Sequence, residues 1–316
     1  MHSSVNPGRG DGFQAGRGPG KPVRPGLAFP ACLATAAGTV LRGLAQVLLL
    51  RTATAGLLVL IGLAHARPAL AAAALLGSAL GCCAAALCPS LREDARQGLH
   101  GYNAALALMV LVAGFEFSPA LAAVAVALPV LLVPLRQAAR RWPVPIYTVP
   151  FLICAWGLPA AASWLGLEPM PLPPAPAAGP AEGLLHGLSQ VLFVQSVPAG
   201  LCVLLAVALE SPRLALLTLA ASALGLLIGL LVGVPGAALG AGLAGFNAVL
   251  CALALGRALP AVPTLVAAAG AALLSLAAQR AGVPAWSAPF ILCAWAALWQ
   301  ARLATPGADG GPAARE

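Results

Sequence analysis

Three blocks of this sequence occur twice, in the same order, and they repeat residues that a lipid-facing helix carries only at a cost. Gly43–Leu49 reads GLAQVLL and Gly187–Phe193 reads GLSQVLF; Gly98–Leu108 reads GLHGYNAALAL against GLAGFNAVLCA over Gly242–Ala252; Pro150–Trp156 reads PFLICAW against PFILCAW over Pro289–Trp295. Matched glutamines and asparagines lie 144 residues apart and the matched Pro-Phe pairs 139 apart, so one half has been duplicated and its loops have since changed by five residues. Polar and helix-breaking residues at corresponding places in two apolar halves point to a transport path at a repeat interface.

Of the 316 residues 60% are apolar and 8% charged, where a soluble domain carries about a quarter charged. This is the composition of a polytopic membrane protein. A net charge of +8 would suggest a nucleic-acid partner in a soluble chain, but here the arginines stand singly in short gaps between apolar runs, so the charge reads as topology and no nucleic-acid partner is expected. The eight cysteines fall mostly inside apolar runs without paired zinc spacing, and no metal or other cofactor is expected.

Residues 1–26, rich in Gly, Pro, Ser and Arg, read as a disordered cytoplasmic tail rather than a cleavable signal. Residues 27–165 form the first repeat, 166–183 a Pro-rich extracytoplasmic linker, 184–303 the second repeat and 304–316 a second cytoplasmic tail. Each half offers five apolar segments of spanning character, at about 20 residues per span: Ala53–Ala66, Pro68–Cys88, Gly101–Phe117, Pro119–Leu135 and Val144–Leu165, then Pro198–Leu209, Leu214–Val234, Gly240–Leu255, Ala258–Ala278 and Val283–Ala301. A shorter apolar piece precedes each set, Leu41–Leu50 and His186–Val194. A helix of about ten residues covers about 15 Å, half the hydrocarbon core, so each is a candidate re-entrant half-helix. Five spans per half is an odd number, which inverts the second half relative to the first. The expected fold is an all-α polytopic membrane protein of two inverted repeats, each with five transmembrane helices and one re-entrant half-helix, around a central pore. With both termini in the cytoplasm, thirteen basic residues fall inside against Arg67 and Arg280 outside, which fits the positive-inside rule; the expected location is a cell inner membrane, crossed many times.

Gln46 and Gln190 are the central polar residues of the half-helices. A buried glutamine can also tie neighbouring helices together; its recurrence before the same Val and Leu in both repeats favours a pore role. Asn103 with Leu106, and Asn247 with Leu250, follow a glycine and an aromatic residue. The asparagines suit a structural part, bonding backbone groups freed by a bent helix, and the leucines suit a narrowing of the path. Pro145 and Pro150, matched by Pro284 and Pro289, each remove a backbone donor, so helix should break there and leave carbonyls for a permeant. Thr148 and Ser287 set one hydroxyl beside each break. Glu116 and Glu210 fall at span ends, where carboxylates reach water, and neither recurs in the other half.

A path with duplicated amides, hydroxyls and carbonyls but no duplicated charge suits a small, neutral, hydrogen-bonding solute better than an ion. The GLxQV segment, the aromatic-Asn segment and the two Pro-x-x-(Thr/Ser)-x-Pro-Phe breaks resemble the urea transporter family over about Leu41–Trp299. The resemblance implies passive conduction of urea across the lipid bilayer by a homotrimer with one pore per subunit. By position it implies that Gln46 and Gln190 bind urea N–H groups at the two mouths, flanked by Val47 and Val191. Leu49 and Phe193 would wall the slots, Leu106 and Leu250 would narrow the path, and Thr148 and Ser287 would lie near its centre. Leu49 stands where the family often has Phe, Ser287 where it has Thr, and Tyr102 where it has Phe. Rival classes make other demands. A proton-coupled carrier for ammonia or short amides needs Glu116 or Glu210 inside the membrane, and an enzyme on a lipid-linked substrate needs clustered catalytic groups, approached only by Arg92-Glu93-Asp94 with Arg96.

Overall fold

In the computed structural model the described residues are 28–138, 141–171 and 178–304. The expected tail 1–26, all but the first residue of 304–316, and residues 172–177 of the Pro-rich linker lie outside them. Residues up to Ala36 form a unit by themselves, represented by the first turns of α1, and residues from Ala37 onward form a second.

The described residues are helices joined by short connections, with one isolated antiparallel bridge between Phe115 and Pro169. The first half runs α1 (Ala28–Ala45), a 3-10 turn (Gln46–Leu48), α2 (Ala53–Ala66), α3 (Pro68–Ala86), α4 (Arg92–Arg96), α5 (Gly101–Gly114), α6 (Pro119–Ala138) and α7 (Val149–Ala161). The second half runs α8 (Pro180–Ser189), a 3-10 turn (Gln190–Leu192), α9 (Val197–Glu210), α10 (Pro212–Leu231), α11 (Gly236–Gly240), α12 (Phe246–Leu255), α13 (Ala261–Arg280) and α14 (Ala288–Ala304). Helix starts follow local chemistry. Thr52, Ser196 and Ser211 each accept a hydrogen bond from the amide three residues on, and Pro68, Pro198 and Pro212 fall in first turns, where a missing N–H costs nothing.

α1 and α8 each tighten into a 3-10 turn and stop at a left-handed residue, Leu49 (φ 56°) or Phe193 (φ 58°). The next helix leaves at 75° in the first half and 73° in the second. A bulky side chain in that region costs about 1–3 kcal/mol, a strain that persists only where surrounding contacts impose it.

Among the described residues four helices, α3, α6, α10 and α13, are long and apolar enough to cross a membrane, and six if each bent pair is one span. α5, α7 and α12 have only 14, 13 and 10 residues, about 15–21 Å at 1.5 Å per residue. The reason is position. α5 and α12 are buried over most of their length, whereas between 28% and 50% of the residues in the long helices' apolar windows are buried. An interior helix need not reach both membrane faces by itself; the expected span Gly240–Leu255 accordingly begins as helix only at Phe246, after the separate turn of α11. The outer faces carry Leu57, Ile61, Leu131, Leu216 and Val266 in the open, and Phe117 and Trp164 are about nine-tenths exposed, as suits side chains that meet lipid and its interface.

Small residues set the closest approaches. A Cβ on Gly56 of α2 would collide with the Leu41 carbonyl of α1, and one on Gly200 of α9 with the Leu185 carbonyl of α8. Counterpart elements also meet each other: α2 packs on α9, α7 on α14, and the two 3-10 turns touch.

Candidate functional site

The second break in each half precedes α7 or α14, and its backbone is again left-handed at one residue, Tyr147 or Trp286, both at φ 48°. Together with Leu49 and Phe193 these are the non-glycine residues of positive φ among the described residues. Asparagines hold both breaks. Asn103 donates from Nδ2 to the Tyr147 carbonyl (3.3 Å) and accepts at Oδ1 from the Phe151 amide (3.1 Å). Asn247 likewise donates to the Trp286 carbonyl (3.0 Å) and accepts from the Phe290 amide (3.3 Å), with a further bond to Ser275 Oγ (3.0 Å). One amide side chain thereby satisfies both an orphan donor at a helix start and the carbonyl of the left-handed residue. Pro150 and Pro289 occupy first turns of α7 and α14, where their missing N–H breaks no helical bond.

The two breaks meet. Thr148 Oγ1 and Ser287 Oγ are 2.8 Å apart, both buried. Around this pair the contacts are reciprocal: Trp156 Nε1 donates to the Pro284 carbonyl (2.7 Å) and Trp295 Nε1 to the Pro145 carbonyl (2.8 Å). Tyr147 packs edge-on to Phe290 at 5.4 Å, and Phe151 edge-on to Trp286 at 6.0 Å. Each of these contacts between the halves has its converse. The carbonyls of Pro145 and Pro284, freed by the breaks, are thus taken by indole donors rather than left open.

A narrow cavity opens beside the hydroxyl pair. It has about 20 Å³ of room for the centre of a water-sized molecule, enough for one small molecule at a time. Of the residues singled out from the sequence, Val47, Leu106 and Thr148 line it from the first half, and Gln190, Val191, Phe193, Leu250 and Ser287 from the second. Gln46 and Leu49, both half-buried, are not among its lining residues. Phe151 and Phe246 complete the wall; both lie inside duplicated blocks, PFLICAW and GFNAVL, so their place in the repeat was the signal that could have found them. Phe193 lies 5.7 Å from Phe151 and 5.8 Å from Trp286, which makes a rigid aromatic corner. Gln190 donates from Nε2 to the Ala241 carbonyl (2.8 Å). That bond anchors the side chain, which lines a cavity whose lining side chains carry no charge. Among the described residues no three His, Cys, Asp or Glu side chains gather as metal ligands.

Glu210 departs from the sequence reading. Its side chain is 10% exposed. Oε1 accepts from the Arg51 amide (2.8 Å), the Thr52 amide (3.0 Å) and Thr52 Oγ1 (2.9 Å), and Oε2 accepts from Arg257 Nη2 (2.7 Å). The start of α2 and the end of α12 face it across the molecule, so the carboxylate finds donors there instead of water. Arg42 donates from Nε to the Arg96 carbonyl (2.9 Å) and so lies beside α4.

The cavity is therefore lined by an amide side chain, paired hydroxyls and aliphatic and aromatic walls, groups that can exchange hydrogen bonds with a small neutral molecule. A sequence model of the family described as Urea transporter matches residues 37–302. The protein is 29% identical over 237 residues to Urea transporter 1 of Capra hircus and to that of Ovis aries, and 28% identical over 238 residues to that of Rattus norvegicus. Each match covers 69% of this chain and 62% of the relative, so the matched region is less than two thirds of the relatives' length.

Proposed function

Because the chain belongs to the urea transporter family, we propose that it is a passive channel for urea, open as well to short amides of similar shape. The observation that carries the reading is Gln190, anchored through Nε2 to the Ala241 carbonyl and lining the uncharged cavity. Urea offers four N–H donors and one carbonyl. At the Gln190 mouth it exchanges water for Oε1 while its faces slide past Val191, Phe193 and Phe151, and the Thr148–Ser287 hydroxyls accept or donate at the centre. Each such exchange is worth about 1 kcal/mol net, so binding is weak and passage rapid. Gln46 and Leu49 play the matching parts at the other mouth, with Val47 beside them and Leu106 and Leu250 narrowing the path between. Asn103, Asn247 and Pro145, Pro150, Pro284 and Pro289 hold the breaks.

The halves are inverted repeats, a reading supported by the reciprocal Trp–Pro and aromatic contacts and by the odd number of spans read in each half. Three such subunits make a homotrimer in the inner membrane, each with its own path and with both termini in the cytoplasm; the clustering of arginines at one face supports this orientation. A proton-coupled carrier finds no support in Glu210, whose oxygens already accept from four donors. The test is stopped-flow light scattering of proteoliposomes loaded with urea. The channel reading expects rapid urea equilibration that does not change when a pH gradient is imposed; flux that appears only with the gradient overturns it.

A further inference from the structure

The two half-helix turns share one backbone shape but are fastened by different chemistry. In the second repeat the half-helix ties its own turn, because the Ser189 hydroxyl donates to the Val194 carbonyl (2.8 Å) and accepts from the Ser196 amide (3.3 Å). The first repeat has Ala45 at the corresponding position. Its turn is instead held from the other repeat: Glu210 takes the amides of Arg51 and Thr52, and Arg257, paired to Glu210 through Nη2, donates from Nη1 to the Leu49 carbonyl (3.3 Å). The positions that match Glu210 and Arg257 in the first half are Ala66 and Ala113, so the device exists once. Its bonds reach across 159 to 208 residues of sequence, and one of them holds the left-handed Leu49 at its carbonyl.

We propose that Glu210 and Arg257 are positioning residues for the Leu49 mouth, setting its turn through a charged fastening while a neutral hydroxyl sets the Gln190 mouth. The proposal rests on the channel reading above and adds an asymmetry to it. Charge-assisted bonds are shorter and stronger than neutral ones, and Arg257, 38% exposed, remains open to screening by salt. The first mouth is thus the one whose geometry responds to ionic strength.

The test uses the full chain in proteoliposomes of defined orientation, with saturating urea uptake measured separately from each face. Glu210→Gln and Arg257→Gln are expected to shift the ratio of the two half-saturation constants by about threefold or more, through a change at the Leu49 face. Adding Ala45→Ser to Glu210→Gln copies the hydroxyl of the second repeat and is expected to restore the wild-type ratio. A shared loss of flux from both faces, with the ratio unchanged and no recovery on adding Ala45→Ser, marks a structural brace and overturns the proposal. The two readings fail separately: a wild type without urea flux overturns the channel, whereas a conducting wild type with unmoved ratios overturns only the positioning.

Discussion

At the residue scale the cavity depends on a few groups whose bonding is already complete except where a solute would enter. Thr148 and Ser287 bond each other at 2.8 Å in a buried setting. Thr148→Val keeps the shape and strands the Ser287 hydroxyl, a loss of about 1–3 kcal/mol for an unsatisfied buried group. Thermal unfolding of detergent-solubilised protein should report a lower Tm, and urea flux should fall with it, while the double change Thr148→Val with Ser287→Ala recovers much of the stability. Asn247 has three bonds to lose. At about 1 kcal/mol net each, Asn247→Ala should destabilise more than Ser287→Ala, as read from the same unfolding curves. These side chains were visible in the sequence because each falls in or just before a duplicated block. The Glu210–Arg257–Leu49 network was not: its members lie 47 to 208 residues apart and occur in one half only, so neither spacing nor repetition could signal them.

At the element scale, helix starts were more legible than helix lengths. α2 runs over Ala53–Ala66, the span read from sequence, because Thr52 caps it and Pro68 begins the next helix. α1 begins at Ala28 rather than near Leu41; the Ala-rich, small-residue run before Leu41 carries no break that sequence could show. α7 is shorter than its expected span because the chain before Val149 is held non-helical by the Asn103 bonds, a constraint that comes from another helix. The bend itself depends on close backbone approach. Gly56→Leu would drive a side chain into the Leu41 carbonyl, and overpacking of a tight helix contact costs about 1–3 kcal/mol or more. Reduced yield of folded protein and a lower Tm are the expected outcome, with a milder effect for Gly114→Leu, where a Cβ meets nothing.

At the scale of the whole molecule the duplicated halves meet at the Thr148–Ser287 pair, and the orientation proposed for them puts Cys88 and Phe117 on opposite sides of the membrane. Cys88 is exposed beside the Arg92–Arg96 loop, and Phe117 is exposed near the bridge between Phe115 and Pro169. In cells, a membrane-impermeant thiol reagent should label Phe117→Cys in a cysteine-free background from outside. A chain that keeps only Cys88 should label only after the membrane is opened. The reverse pattern would turn the molecule over. The proposed uncharged conduit with Gln190 as acceptor stands or falls on urea flux through Gln190→Leu beside wild type in matched proteoliposomes. A fall of about tenfold is expected, the equivalent of about 1.4 kcal/mol, with Tm little changed. Flux equal to wild type would rule the conduit out.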